Sequence, residues 1–158
     1  KYNSTVNLGV LDGTEVVYKA RIPHASVAFD AMLIGARQPA AVTAIGQIIS
    51  AFSSEDVLEK MLEKGLPVPL TAFTCQDADE VRARVAGAKR DGFIISNQQL
   101  MLQEVVVAAP VIGANRKAIA AISMPVYMPD WNEPRIREEL VPVVTEAARS
   151  ISSIISQG

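Results

Sequence analysis

The chain opens on an alternating pattern of apolar and polar residues, which is typical of strands with one buried face. The segment TVNLGVLDGTEVVYKA alternates on both sides of Asp12-Gly13, a dipeptide that is favoured in two-residue hairpin turns. We therefore predict two antiparallel strands, over residues 5–11 and 15–21. A third short strand is expected in VAFDAMLIG, after Pro23.

The pattern then changes to helical spacing. In QPAAVTAIGQIISAF, apolar residues recur every three or four positions from Val42 to Phe52, which predicts a helix that starts near Val42. SEDVLEKMLEKG predicts a second helix, capped by Ser53 or Ser54 and ended by Gly65.

A third helix is predicted in DADEVRARVAGAKRDG. Asp77 and Glu80 have capping-box spacing, Glu80 and Arg84 form an i,i+4 pair, and Gly92 stops the helix. The apolar stripe of this helix is thin, so we expect it to cover an edge or face of a sheet rather than fill a core by itself.

Three strands follow in GFIIS, EVVVAAPVI and AIAAISMPV, the last two joined by a turn over residues 113–116. Because the last two are almost wholly apolar, they are predicted to be central strands that are covered on both faces.

A C-terminal helix is predicted after Asn132, with Pro134 in its first turn and a bend at Pro142. Its apolar stripe is expected to comprise Ile136, Leu140, Val144, Ala147, Ile151 and Ile154. Strands first, helices in the middle, then strands and a helix indicate a single α+β domain over residues 1–158, an antiparallel sheet flanked by helices of the GAF or PAS type.

Composition narrows the functional classes. The 158 residues are 49% hydrophobic and carry a formal net charge of -2, so this chain alone is not expected to hold a phosphate backbone. The only cysteine, Cys75, excludes an internal disulfide and a multi-cysteine metal site, which suits a reducing cytoplasm. The apolar runs are shorter than the ~20 residues that cross a bilayer, and no membrane partner is expected. Because the first residue is Lys1, we expect the chain to begin inside a longer gene product.

Few residues are suited to catalysis. His24 is the only histidine and is expected in a solvated loop, and Cys75 has no histidine near it in the sequence. Asp77, Asp79 and Glu80 belong to a helix start, where the helix dipole favours carboxylates. We therefore expect no enzyme, no cofactor and no metal site.

A small-molecule site has more support. The helix that starts near Val42 leaves backbone N–H groups unsatisfied, and small residues there would let a carboxylate approach: Ala40, Ala41, Thr43, Ala44 and Gly46. Tight helix-to-sheet packing is an equal explanation for these small residues. Further hydrogen bonds could come from Ser96, Gln99 and Ser123. Apolar walls could come from Met32, Leu33, Val105, Val106 and Met124, and each of these residues could equally be ordinary core.

Five segments together resemble the effector-binding domain of the IclR family of bacterial transcriptional regulators: TVNLGVLDGTEVVYKARIP, QPAAVTAIGQIISAF, GFIIS, VAAPVIGANRKAIAAIS and LVPVVTEAARSIS. The resemblance covers residues 5–155, including the proline in the last helix. It implies a GAF-like domain that binds a small, often carboxylated or aromatic, effector and assembles as a homodimer or homotetramer. It also implies that operator DNA is bound only by an N-terminal winged helix-turn-helix, which we expect to lie outside this chain.

The family's late motif is kept in part. Gly92, Ser96, Val107 and Ala108 match it, whereas Gln99 stands where Glu is usual. Val106 replaces a small or thiol residue, and Ile112 and Gly113 replace an aromatic and an acidic residue. The resemblance implies that effector contacts include the positions of Ser96, Val106 and Ser123 and the helix start, in a pocket less charged than in most relatives. The predicted ligand-binding residues are Met32, Ala41, Val42, Thr43, Ala44, Ser96, Gln99, Val106, Ser123 and Pro125.

Four amide side chains are expected beside this pocket: Asn97, Gln98, Gln99 and Gln103. We hypothesise that Gln99 replaces a carboxylate that would repel an anionic ligand, and the alternative is that most of the four are solvated. Three other functions stay open. They are a GAF-like sensory module with a different output, a domain that only oligomerises, and a small enzyme that uses Cys75 and His24 in the same cleft.

Overall fold

The computed structural model describes residues 4–23 and 34–158. Six antiparallel strands form one sheet in the order β3-β2-β1-β6-β5-β4. The strands are β1 Val6–Asp12, β2 Glu15–Ile22, β3 Arg37–Pro39, β4 Ile94–Asn97, β5 Glu104–Ile112 and β6 Ala118–Tyr127. The two long apolar strands β5 and β6 are internal, as predicted.

The helices lie between β3 and β4 and after β6. They are α1 Ala44–Ala51, α2 Glu55–Glu63, α3 Ala78–Asp91, α4 Glu133–Arg135 and α5 Val141–Gln157. A 3-10 turn, Ala40–Val42, precedes α1, and a π-helical turn, Ile136–Leu140, joins α4 to α5. None of the described helices is both long and apolar enough to cross a membrane.

The sheet separates two apolar cores. On one face α1 packs on the sheet and α3 packs on α1, around fully buried residues such as Val16, Ile48 and Val81. On the other face α5 packs along β5 around Val107, Val111 and Leu140. The α+β architecture predicted from the sequence is therefore present, with helices on both faces of the sheet.

The hairpin of β1 and β2 turns at Gly13, whose φ of 63° lies in the left-handed region that glycine adopts readily. Further along, Leu8 pairs with Ala20 but Gly9 pairs with Tyr18, so Lys19 is an extra residue in β2. Such a bulge reverses the alternation of side chains beyond it. As a result Tyr18 and Arg21 point to the same face of the sheet.

The third strand was expected in VAFDAMLIG. Most of VAFDAMLIG lies outside the described residues, and the third described strand is Arg37–Pro39. The helix α3 contacts α1 and the edge strand β4, and its Val81, Val85 and Ala88 are buried in a core that it shares with α1. The Ser54 side chain makes no capping hydrogen bond at α2, although Ser54 holds the N-cap position.

The stripe of the last helix is corrected as well. Ala148 is buried, whereas the predicted Ala147 and Ile154 are exposed. The π-helical turn before Pro142 explains the change, because the N–H of Val141 bonds the carbonyl of Ile136 five residues earlier and shifts the register of the stripe. A bend was expected at Pro142, and the structure shows a π-helical turn immediately before this part of the helix.

Candidate ligand-binding site

A partly enclosed cavity of about 80 Å³ lies between the start of α1 and the face of the sheet that α1 covers. Its walls come from β1, β2, β5, β6, the end of β4 and the turn after it. The lining residues are Asn7, Tyr18, Arg21, Val42, Thr43, Ala44, Ile45, Ser96, Gln99, Leu100, Met101, Glu104, Val106, Ser123 and Pro125.

The start of α1 forms one wall of the cavity. Thr43 is the N-cap, and its Oγ1 accepts a 3.1 Å hydrogen bond from the N–H of Gly46 and donates to the Ala40 carbonyl at 3.2 Å. The Thr43 carbonyl accepts from the N–H of Gln47. The N–H groups of Ala44 and Ile45 have no acceptor among the described residues. This end of the helix can therefore bind an acceptor or an anion.

Gly46 permits this arrangement of the chain. A Cβ atom at this position would overlap the backbone of Ala40, in the 3-10 turn that leads into the helix. The small residues here thus allow close backbone packing, which is one of the two interpretations of the sequence, and Ala44 and Ile45, which carry the two N–H groups, line the cavity.

Polar side chains cross the floor of the cavity. Asn7 on β1 pairs with Arg21 on β2 and with Ser123 on β6, so the three side chains lie side by side on one face. The Asn7 Oδ1 atom is buried and has no hydrogen-bond partner in the part of the chain that the structure describes. The hydroxyl groups of Ser96 and Ser123, although buried, also form no hydrogen bond with a described residue.

Two charged groups face the cavity from different strands, Arg21 on β2 and Glu104 at the start of β5. Burial raises the pKa of the Glu104 carboxyl, and the charge of Arg21 opposes that shift. Burial and, after it, the charge of Glu104 raise the pKa of Tyr18 to about 12. The cavity thus has a guanidinium, a carboxyl and a neutral phenol in mutual electrostatic contact. The expectation of a weakly charged pocket did not include these groups.

Gln99 lines the cavity, but its amide group is occupied. Nε2 donates to the carbonyls of Phe73 at 2.8 Å and Asn97 at 3.0 Å, and Oε1 accepts from the N–H of Cys75 at 2.8 Å. A carboxylate could not donate to the two carbonyls. Gln99 therefore connects the loop before α3 to the end of β4 through hydrogen bonds. This structural role explains the presence of an amide here independently of the predicted ligand contact.

The other amides have mixed positions. Asn97 and Gln103 are exposed, and the Gln98 Oε1 accepts from the N–H of Gln103 within the β4–β5 turn. Gln103 Oε1 accepts from the hydroxyl of Tyr127. The alternative that most of the four amides are loop residues in contact with solvent fits these positions better than a shared role in the pocket.

The structure brings together eight of the ten predicted ligand-binding residues: Val42, Thr43, Ala44, Ser96, Gln99, Val106, Ser123 and Pro125. Ala41, in the 3-10 turn, lines a separate groove beside α2. Met32 and Leu33 lie outside the described residues. The suggested wall residues Val105 and Met124 pack in the opposite core, since side chains alternate along β5 and β6. Whether the eight bind a ligand stays a prediction.

Sequence reasoning missed seven lining residues: Asn7, Tyr18, Arg21, Ile45, Leu100, Met101 and Glu104. Of these residues, Asn7 was the easiest to predict from the sequence, because a polar residue at an inward-facing position of an alternating strand indicates a functional site. Arg21 could not be predicted because of the bulge at Lys19. Unbroken alternation would place Arg21 and Tyr18 on opposite faces of the sheet.

Chemistry other than binding has little support in the described residues. Cys75 is buried, its Sγ contacts the Asp77 carbonyl at 3.4 Å, and burial raises the pKa of its thiol, which disfavours a thiolate nucleophile. His24 lies outside the described residues. Within residues 4–23 and 34–158, no group of three or more His, Cys, Asp or Glu side chains is arranged to hold a metal ion.

The chain matches known protein sequences over most of its length. The family model described as the C-terminal domain of the bacterial transcriptional regulator IclR matches residues 1–153. The regulator XynR of Escherichia coli is 30% identical over 120 residues, covering 76% of this chain and 48% of XynR. This chain thus spans about half the length of that relative.

Solved structures show the same fold. A transcriptional regulator of Rhodococcus sp. RHA1 superposes with a TM-score of 0.92 at 27% identity, covering 99% of this chain and 63% of that one. A double mutant of the inducer-binding domain of PobR from Acinetobacter, solved as a complex with 3-hydroxybenzoic acid, has a TM-score of 0.80 at 22% identity, and the match covers 94% of this chain and 87% of that one. From the match of the family model over nearly its whole length, we conclude that the chain belongs to the IclR family of bacterial transcriptional regulators and corresponds to its C-terminal domain.

Proposed function

We propose that this chain senses a small carboxylic acid, which binds in the cavity at the start of α1. The observation that carries the proposal is the set of hydrogen-bonding groups of the cavity residues that have no partner in the part of the chain that the structure describes. They are the N–H groups of Ala44 and Ile45, the Asn7 Oδ1 atom, and the hydroxyls of Ser96 and Ser123. Buried polar groups without partners are unfavourable, and a bound ligand would satisfy them.

The relatives support this interpretation. XynR is a transcriptional regulator, and a double mutant of the PobR inducer-binding domain was solved with an aromatic acid. In this chain the N-terminus of α1 has no acidic residue in its first turn, so its dipole favours a carboxylate there. Val42, Val106 and Pro125 supply apolar walls for the rest of a ligand.

Regulation would follow from a change in the oligomer. The ligand would bind one arrangement of a homodimer or homotetramer more tightly than another and thereby alter operator binding by a winged helix elsewhere in the full-length regulator. The size of the response is set by the difference in ligand affinity between the two arrangements. Such a regulator would act in the cytoplasm, where bacterial operators lie.

A thermal-shift screen of this domain with monocarboxylates, dicarboxylates and neutral aromatics tests the proposal. A ligand at a hundred times its Kd should add about 2.7 kcal/mol and raise the midpoint by several degrees. Val106→Phe should abolish the shift by filling the cavity. Ile119→Phe, at a position 47% exposed on the neighbouring strand β6, should keep it.

Two outcomes count against the proposal. One is a screen in which no acid raises the midpoint. The other is a shift of equal size in wild type and in Val106→Phe, because that result would put the ligand outside this cavity.

A further inference from the structure

We propose that the cavity selects a monocarboxylate that carries a hydroxyl group, with the carboxylate at the N–H groups of Ala44 and Ile45 and the hydroxyl donating to Asn7 Oδ1. This inference rests on the proposed function and specifies its ligand class. It adds Glu104 as the residue that excludes a second carboxylate.

The requirement for a donor comes from Asn7. Its side chain is 6% exposed, it lines the cavity, and its Oδ1 has no hydrogen-bond partner within the described residues. An amide oxygen only accepts hydrogen bonds, so a ligand can satisfy it only with an O–H or N–H group. The hydroxyls of Ser96 and Ser123 can donate or accept and therefore do not decide the chemistry.

The requirement for an anion comes from the opposite wall. The N–H groups of Ala44 and Ile45 have no acceptor within residues 4–23 and 34–158, and the eight-residue helix adds the positive end of its dipole. Arg21 adds a positive charge to the cavity beside Asn7. These groups all favour one carboxylate.

The limit to a single carboxylate comes from Glu104. Its carboxyl lines the cavity and forms no hydrogen bond with a described residue, so a second ligand carboxylate would face a like charge there. A ligand ammonium would in turn approach Arg21, which is electrostatically coupled to Glu104. A neutral hydroxyl avoids both repulsions, and we therefore favour a hydroxy acid over a dicarboxylate or an amino acid.

Isothermal titration calorimetry on this domain with matched acids tests the inference. The probes are 3-hydroxybutyrate and butyrate, 3-hydroxybenzoate, benzoate and 3-fluorobenzoate, and glutarate and isophthalate as dicarboxylates. In wild type, at least one hydroxy acid should bind about tenfold more tightly than its unsubstituted partner, which is the effect of one satisfied hydrogen bond. The dicarboxylates should bind more weakly than the hydroxy acid. The fluoro acid, which cannot donate, should behave like benzoate.

Two variants assign the effects to residues. Asn7→Leu should remove the preference for the hydroxy acid while affinity for the unsubstituted acid changes little. Glu104→Gln should strengthen dicarboxylate binding about tenfold or more and leave hydroxy acid binding within about threefold. Thermal midpoints of both variants show whether they fold, and the wild-type comparison with the fluoro acid needs no variant.

The outcomes separate the two claims. Equal affinity for a hydroxy acid and its unsubstituted partner in wild type, or a preference that persists in Asn7→Leu, overturns the inference and leaves the proposed function intact. Dicarboxylates as the tightest wild-type ligands overturn it too. Absence of binding by every probe contradicts the proposed function together with the inference.

Discussion

The Gln99 Oε1 atom accepts a 2.8 Å hydrogen bond from the backbone N–H of Cys75, a residue 24 positions earlier in the chain. The same amide donates to the carbonyls of Phe73 and Asn97. Thr74 adds a parallel connection, because its hydroxyl donates to the Gln99 carbonyl at 2.7 Å. The buried side chains of Gln99 and Thr74 thus join the loop before α3 to the turn at the end of β4, beside the cavity.

Gln99→Glu should destabilise the fold. The carboxylate would face two carbonyl oxygens that now receive hydrogen bonds, at a cost of about 2–4 kcal/mol. Urea unfolding measures the change. Gln103→Glu is the matched control, since that exposed amide only accepts, from Tyr127, and it should change stability by less than about 0.5 kcal/mol. Similar losses in both variants would show that the Gln99 contacts are not decisive.

Two helical glycines should respond in opposite directions to alanine. Gly46→Ala would force a Cβ into the Ala40 backbone, so we expect a loss of about 2 kcal/mol or more. Gly87→Ala on α3 meets only the end of the flexible Arg90 side chain, at 3.4 Å, and should stabilise by roughly 0.5–1 kcal/mol through helix propensity. Thermal and urea unfolding of both variants measure this, and a neutral Gly46→Ala would contradict the close packing at the start of α1.

The register of α5 can be tested with adjacent alanines. Ala148 is 1% exposed against β5, so Ala148→Leu should overpack the core at a cost of about 1–3 kcal/mol. Ala147 is exposed, and Ala147→Leu should change the free energy of unfolding by less than about 0.5 kcal/mol. The reverse order of the two effects would restore the stripe that regular helical spacing predicts and argue against the π-helical turn.

Stability should depend on pH through Glu104. Burial raises the pKa of this carboxyl in the folded state against the opposing charge of Arg21. As the pH rises through the ordinary value near 4.5, the unfolded chain loses its proton while the folded chain keeps it, so the free energy of unfolding falls. The fall ends once the pH passes the raised pKa, and below the ordinary value there is no penalty.

Glu104→Gln removes this titration and is the variant that checks it. Its stability relative to wild type should rise with pH across the window just described and stay level above it. Urea unfolding of both proteins at a series of pH values from 4 to 8, a range set by the usual carboxyl and histidine pKa values, gives the comparison. A difference that is constant with pH, or that decreases, would show that the pKa of Glu104 is not raised.

Much of the fold could be predicted because its signals are local. The alternation around Asp12-Gly13 predicted the first hairpin, and the helix stop at Gly92 matches a glycine with a φ of 80°. The apolar character of β5 and β6 predicted central strands. A strand that is apolar on both faces gives no alternation from which the face of each residue could be predicted. Val105 and Val106 were therefore assigned to one wall, although they point to opposite cores.

The charged part of the candidate site could not be predicted, for a physical reason. Arg21 reaches the cavity because the extra residue at Lys19 reverses the alternation of β2, and this bulge is visible only in the pairing with β1. Glu104 follows a turn and begins a strand, where carboxylates are ordinarily solvated. The electrostatic interactions among Arg21, Tyr18 and Glu104 bring together strands that are distant in the sequence.

The central claim is that a small acid binds at the start of α1. The most direct measurement is a titration of the ¹⁵N-labelled domain with the tightest-binding acid of the panel, followed through its amide resonances. We predict that the resonances of Ala44 and Ile45 shift most and saturate together with those of Asn7 and Ser123. Shifts confined to the separate groove between α5 and β5, which Ile112 and Thr145 line, would contradict the account.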